Sequence, residues 1–318
     1  VQFQNLPKLT LKDPEKAIKL IKQGDAAAWE MSYALPMQSL SACIRGLVVP
    51  KPRHILAVVD YAAIEARMLM WAAGQEDAVE AFHTGRDIYL EMAEVIYQQK
   101  GFTKQDNPKE RHLGKQAILG AGYSMGSTKF RATCLGYGMQ VSEGLAERAI
   151  KAYRSTYKKV PAFWYGVEEA AKKCVLTDKA HSFQNVLFQR ERDFLYMTLP
   201  SGRRIAYHRP GKDNEGLYYY TEDSQTFTYL KKRTFGGRLV ENFVQGIARD
   251  IMAEAVLRLE DAGYPVVLTV HDEAVVELEK GREGELKNII KIMCELPSWA
   301  KGCPIDAEGF VCDRYRKG

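Results

Sequence analysis

Asp60-Tyr61-Ala62-Ala63-Ile64-Glu65-Ala66-Arg67, entered from the apolar run 55–59 (ILAVV), is the stretch that decides the fold. Five apolar residues in a row read as a buried strand, and this one ends on a carboxylate. A second cluster repeats the arrangement. His271-Asp272-Glu273 is entered from 265–270 (PVVLTV) and left through 274–278 (AVVEL). A buried carboxylate is costly unless it is paired or binds a metal. Two of them, arriving on separate strands, point to one shared divalent-cation site. Mg²⁺ is usually held by one or two carboxylates together with substrate phosphates. Two such ions about 3.5–4 Å apart clamp an in-line phosphoryl displacement.

Between these clusters lie Arg111, Lys115, Leu119 and Tyr123, spaced by four. On a helix, positions i and i+4 share a face. Two cations, an apolar side chain and an aromatic ring therefore form one expected stripe. The cations suit a triphosphate, and the next two side chains suit a base and its sugar.

The chain is 318 residues long, enough for roughly two domains with cores. Its hydrophobic fraction of 46% and charged fraction of 27% are ordinary for a globular protein. The net charge of +5 is unevenly spread. Residues 100–160 hold 12 Lys/Arg against 4 Asp/Glu, and residues 60–99 hold 2 against 8. A basic segment beside an acidic one fits a phosphate-binding lobe next to a metal-binding one, or simply solvated helix faces. The six cysteines are scattered with no CxxC pair, so reduced thiols are expected rather than a zinc site. No apolar run reaches the roughly 18 residues of a membrane span and no signal peptide is visible. A cytoplasmic location without membrane contact is expected.

The three clusters, DYxxIExR, RxxxKxxxxGxxY and HDE in that order, resemble the polymerase motifs of family A DNA polymerases. That family includes bacterial repair polymerases and many phage replicases. The segment 238–252 (RLVENFVQGIARDIM) and the C-terminal residues Arg314-Tyr315-Arg316-Lys317 are most similar to phage members. The resemblance implies an α+β palm with an antiparallel sheet, split by a mainly helical fingers subdomain. Expected boundaries are 1–75 for the first part of the palm, 76–180 for the fingers and 181–318 for the rest of the palm. Family members carry a thumb, and many an exonuclease, upstream of the segment similar to Gln4-Asn5-Leu6-Pro7. Neither has counterpart residues in this sequence, so an upstream region or a second chain is an expected partner. The implied activity is template-directed DNA synthesis from deoxynucleoside triphosphates on primer-template DNA, with two Mg²⁺ ions, or Mn²⁺ in their place. The alternatives are a DNA-binding fragment inactive without its thumb, and a single-subunit RNA polymerase.

The same resemblance assigns roles. Asp60 and Asp272, with the carbonyl of Tyr61, are candidate metal ligands; Glu273 is a further ligand or a structural acid. Arg111 and Lys115 grip the triphosphate. Leu119 stands where most relatives have Phe or Tyr, and is either a platform for the nucleotide or a core residue. Glu65, with Tyr123, matches the gate that rejects a 2′-hydroxyl, which is what separates RNA from DNA precursors. His271 is placed near the primer terminus. Gln245, and more weakly Asn242, resemble a minor-groove reader, where acceptors on every base pair can be checked without reading sequence. Arg45 and Arg238 are expected phosphate contacts. Gln4 and Asn5 are expected to touch template or primer. Ser124 stands where a glycine is common.

Local patterns predict a helix over 12–30, a strand over 55–59, and a helix over 64–73 closed by Gly74. They predict mainly helix over 76–99 and 108–175. Two hairpins are expected, 194–207 and 217–230, then a helix over 240–261 stopped by Gly263 and Pro265.

Overall fold

The structure, a computed structural model, describes residues 5–7, 11 and 13–316. In chain order its elements are α1 (Pro14–Gln23), α2 (Ala26–Ser32), α3 (Pro36–Cys43), β1 (His54–Tyr61), α4 (Ile64–Ala73), α5 (Glu76–His83), α6 (Ile88–Tyr97) and α7 (Pro108–Ala121). There follow α8 (Ser127–Gly136), α9 (Glu143–Thr156), α10 (Lys159–Thr177), β2 (His181–Phe183), β3 (Val186–Glu191), β4 (Phe194–Thr198), β5 (Arg204–Asp213), β6 (Gly216–Glu222) and β7 (Tyr229–Thr234). The chain closes with α11 (Gly236–Asp261), β8 (Val266–Val270), β9 (Glu273–Glu279), α12 (Leu286–Met293) and β10 (Ala307–Cys312). This is the expected α+β class. Two compact units emerge. One comprises residues 1–62, 251–295 and 305–318, the other 63–250 and 296–304.

The first unit is built on a four-stranded antiparallel sheet of order β10-β1-β9-β8. Ile55 to Val59 are all 5% exposed or less, so β1 is covered on both faces. Each large aliphatic side chain buried this way contributes about 1.5–3 kcal/mol. β10 was not expected. Its sequence AEGFVC has little alternation, and Gly309 hides the reason it fits. A Cβ there would come 2.8 Å from the Val58 carbonyl, so only glycine lets the strands approach. The helix expected over 12–30 is in fact two. Gly24 ends α1 at φ 68°, and the Asp25 carboxylate accepts from the Ala28 amide to start α2. Gly-Asp is a stop followed by a start, which the apolar spacing concealed.

The second unit contains α4 to α10 and a six-stranded antiparallel meander from β2 to β7. α4 matches its expected bounds, with Gly74 in the left-handed region. The two expected hairpins are parts of this larger sheet. Val186, Phe188, Leu195, Met197, Tyr207 and Leu217 are buried on one of its faces. β2 and β3 were missed because their turns carry no glycine. Gln184 and Arg192 take positive φ (48° and 53°) where Gly or Asn would have signalled a turn.

Candidate active site

In the first unit, strand pairing assembles the acidic cluster. Asp60 lies opposite Glu273 in the β1–β9 register, and Val270 pairs with Glu273 across a two-residue turn. His271 and Asp272 are that turn. His271 is exposed and sits at φ 56°, a conformation uncommon outside glycine that clusters at functional sites. The Tyr61 amide donates to the Asp272 carbonyl at 3.2 Å, so the two acid-bearing segments touch through their backbones. Asp60 and Asp272 are half-buried, within reach of solvent. The Tyr61 ring is buried and its hydroxyl donates to the Met293 carbonyl at 2.7 Å, which fixes the end of β1.

Among the described residues no group of three or more His, Cys, Asp or Glu is gathered to hold an ion. The candidate donors at the strand ends are two carboxylates, Asp60 and Asp272, and the Tyr61 backbone carbonyl. Oxygen donors that few in number suit Mg²⁺ or Mn²⁺, which complete their shell with water and phosphate, and do not suit zinc. The residues fit the metal expected.

Glu273 is different from its two neighbours. It is 1% exposed, and the Tyr315 hydroxyl donates to its Oε1 at 2.5 Å. Burial first, and then this contact, push the Tyr315 phenol well above its usual range, so it remains a donor at neutral pH. Arg45 requires a correction. It was expected to meet a phosphate, but it is 2% exposed. Its guanidinium donates to the Leu6 carbonyl (2.5 Å), the Pro7 carbonyl (3.2 Å) and the Tyr315 hydroxyl (3.2 Å). No donor is left facing solvent for a phosphate. Asn5 is exposed, and Gln4 lies outside the described residues.

In the second unit, α7 carries the basic stripe. Arg111, Lys115 and Leu119 line one open groove with His112, Gln116 and Tyr137. Arg111 is held: its Nε donates to Asp87 at 2.6 Å, and it lies 5.3 Å from the Tyr89 ring centroid. The other Asp87 oxygen accepts from the Tyr89 and Leu90 amides and caps α6. One carboxylate thus starts one helix and aims a cation on another. Lys115 is exposed, with its ammonium 5.9 Å from the same ring. Asp87 and Tyr89 were missed. The Gly85-Arg86-Asp87 turn before an apolar run was readable as a helix cap, but nothing in the spacing paired it with Arg111.

Tyr123 does not continue the stripe. Steps of four residues drift by about 40° each, and α7 ends at Ala121. The Tyr123 hydroxyl instead approaches Glu65 Oε2 at 3.4 Å, and the Gln245 amide approaches Oε1 at 3.4 Å. Three residues far apart in sequence therefore meet. Burial, then the Glu65 charge, raise the Tyr123 phenol well above its usual value, so it stays neutral. Ser124 adopts φ 64°, the left-handed region that a glycine enters at least cost. Asn242 donates to the Tyr207 hydroxyl at 2.9 Å, a structural contact beneath the sheet. Arg238 is exposed in the first turn of α11, 3.5 Å from Glu241.

The profile described as DNA polymerase family A matches residues 34–317. The chain belongs to this family. It is 37% identical over 324 residues to the DNA polymerase of Bacillus phage SP02, covering all of this chain and 50% of that protein. It is 26% identical to DNA polymerase I of Helicobacter pylori strain J99, covering 98% of this chain and 31% of that protein. The fold is similar to the POL domain of Pol1 from M. smegmatis, whose structure is a complex with DNA primer-template and dNTP. That match has a TM-score of 0.58 at 19% identity, over 86% of this chain and 42% of the other. The chain spans about half the length of the phage relative and about a third of the bacterial one.

Proposed function

We propose that this family A chain catalyses template-directed DNA synthesis, transferring a nucleotide from a deoxynucleoside triphosphate to a primer 3′-hydroxyl. The observation that carries the reading is the backbone contact between Tyr61 and Asp272, which supports one cation site for the acids at the ends of β1 and β8. Asp60, Asp272 and the Tyr61 carbonyl would hold two Mg²⁺, or Mn²⁺ in their place. The ions would supply acidification of the primer hydroxyl and charge neutralisation at the leaving pyrophosphate.

The remaining roles belong to the chain's own side chains. Arg111 presents a fork of donors and Lys115 a compact charge to the triphosphate. Leu119 offers an apolar surface to the nucleotide. Glu65, braced by Tyr123 and Gln245, excludes a 2′-hydroxyl, and this favours DNA over RNA synthesis. Arg238 is the exposed cation offered to a DNA phosphate, with His271 at the primer end. In this reading the palm is residues 1–75 and 181–318 and the fingers 76–180, with grip on DNA augmented by a thumb or exonuclease segment from elsewhere in the polypeptide or from a second chain.

Primer extension by the 318-residue chain, with Mg²⁺ and deoxynucleotides, tests the proposal. Asp60→Asn and Asp272→Asn should each abolish extension while the fold is kept, because the transition-state charge goes unneutralised. Near-normal single-turnover rates in either folded variant would reject the assignment. DNA binding without extension by the parent chain would favour the DNA-binding alternative.

A further inference from the structure

Three buried polar residues of the first unit have no part in the reaction described above. Glu273, Tyr315 and Arg45 are 1%, 0% and 2% exposed. Glu273 shares a sheet face with Leu56, Val58 and Val275, and Tyr315 belongs to that apolar cluster. A carboxylate in such surroundings is costly unless it is hydrogen-bonded and its charge is matched. Both conditions are met in a chain. Arg45 donates to the Tyr315 oxygen at 3.2 Å, and Tyr315 donates to Glu273 at 2.5 Å. The Arg45 guanidinium also lies over the Tyr315 ring, 5.5 Å from its centroid. The backbone is fixed as well, since the Tyr315 amide donates to the Val48 carbonyl at 3.0 Å.

The place where this chain ends gives it a consequence. Glu273 follows Asp272 directly and stands opposite Asp60 in the register. Directly opposed residues have Cβ atoms about 4.5–5.5 Å apart. A carboxylate locked at this point fixes the base of the His271-Asp272 turn and the face from which Asp60 projects. The far end of the chain grips Leu6 and Pro7. We propose that Arg45 and Tyr315 are positioning residues, which brace Glu273 so that the turn presents Asp272, and that Glu273 serves the site as a brace and not as a ligand. This rests on the reading of Asp60 and Asp272 as metal ligands.

The test uses the full chain with primer-template and a non-hydrolysable deoxynucleoside triphosphate. Mn²⁺ affinity is measured by the loss of its free-ion resonance, beside kcat and nucleotide KM with Mg²⁺ and natural nucleotide. Tyr315→Phe keeps the ring and removes only the hydroxyl, which donates to Glu273 and accepts from Arg45. Partners that orient metal ligands typically change affinity or activity by 10–100-fold, so a loss of about tenfold in Mn²⁺ affinity and in kcat is expected, with nucleotide KM unchanged. Tyr315→Phe combined with Glu273→Gln should be no worse than Glu273→Gln alone, because the two act as one unit. Arg45→Lys keeps the charge but cannot span a hydroxyl and two carbonyls. It should weaken Mn²⁺ in the same direction, and it serves if Tyr315→Phe fails to fold. Mn²⁺ affinity and kcat within twofold of the parent in either folded variant would overturn the proposal. Asp272→Asn separates the two readings. If it too leaves Mn²⁺ affinity unchanged, the metal site itself is misassigned.

Discussion

Gly114→Ala is the smallest change that should move the basic helix. A Cβ at residue 114 would lie 2.1 Å from the Tyr89 carbonyl oxygen and 3.0 Å from the Ala93 amide nitrogen. Ordinary carbon–oxygen contacts begin near 3.3 Å. α7 would therefore have to retreat from α6 by about 1 Å, since backbone meets backbone and neither side can rotate away. Overpacking a tight interface costs about 1–3 kcal/mol, and a backbone clash belongs at the upper end. For a unit of this size each kcal/mol lowers the thermal midpoint by about 2–4 °C, so a fall of about 6–12 °C is expected.

The functional cost should be separable from the loss of stability. Arg111 is aimed by Asp87 and Tyr89, both at the start of α6. Shifting α7 breaks that geometry, and a misplacement of about 1 Å can cost about 100-fold in rate. Thermal unfolding followed by circular dichroism, and single-nucleotide extension below the midpoint, give the two readouts. Nucleotide KM should rise while primer-template affinity holds. Gly136→Ala in α8 is the control, because a Cβ there meets nothing within 4 Å. It should be neutral or slightly stabilising. A Gly114→Ala protein as stable as the parent, with unchanged KM, would refute the close crossing and the role given to Arg111.

Glu65→Ala should raise ribonucleotide use relative to deoxynucleotide by about tenfold or more, read as the ratio of kcat/KM values; an unchanged ratio would remove Glu65 as the gate and reopen the RNA-polymerase reading. Ser124→Gly should relieve about 1 kcal/mol of left-handed backbone strain and raise the thermal midpoint by about 2–4 °C, and a lower midpoint would mean the serine side chain has a contact that outweighs the strain. Leu119→Tyr should relax discrimination against dideoxynucleotides, because a hydroxyl there could stand in for the missing 3′-hydroxyl; equal discrimination by parent and variant would show that residue 119 does not reach the sugar.

Elements that announce themselves locally were legible in the sequence. The middle of β1, residues 55–59, is an apolar run, and α4 ends on a glycine that can take positive φ, so both are signalled locally. Elements defined by their partners were not. β10 depends on the close approach of Gly309 to β1, and β2 and β3 depend on turns made by Gln184 and Arg192 at positive φ. No periodicity encodes a neighbour that lies 250 residues away.

The candidate site divides in the same way. Residue types at motif spacing, read through the family resemblance, named Asp60, Asp272, Lys115 and Glu65 as candidates. What holds those residues in place was hidden. Asp87 reads as a helix cap, and only the fold reveals that its second oxygen aims Arg111. Arg45 shows the limit most sharply. The resemblance made Arg45 an expected phosphate contact, and most arginines are indeed exposed. Its partners are two backbone carbonyls and the Tyr315 hydroxyl, groups that leave no trace in residue type or spacing. A charge enclosed this way cannot meet DNA, yet one phenol separates it from the acid that follows Asp272. Burial thus turns Arg45 inward and sets it behind the acids proposed to hold the metal.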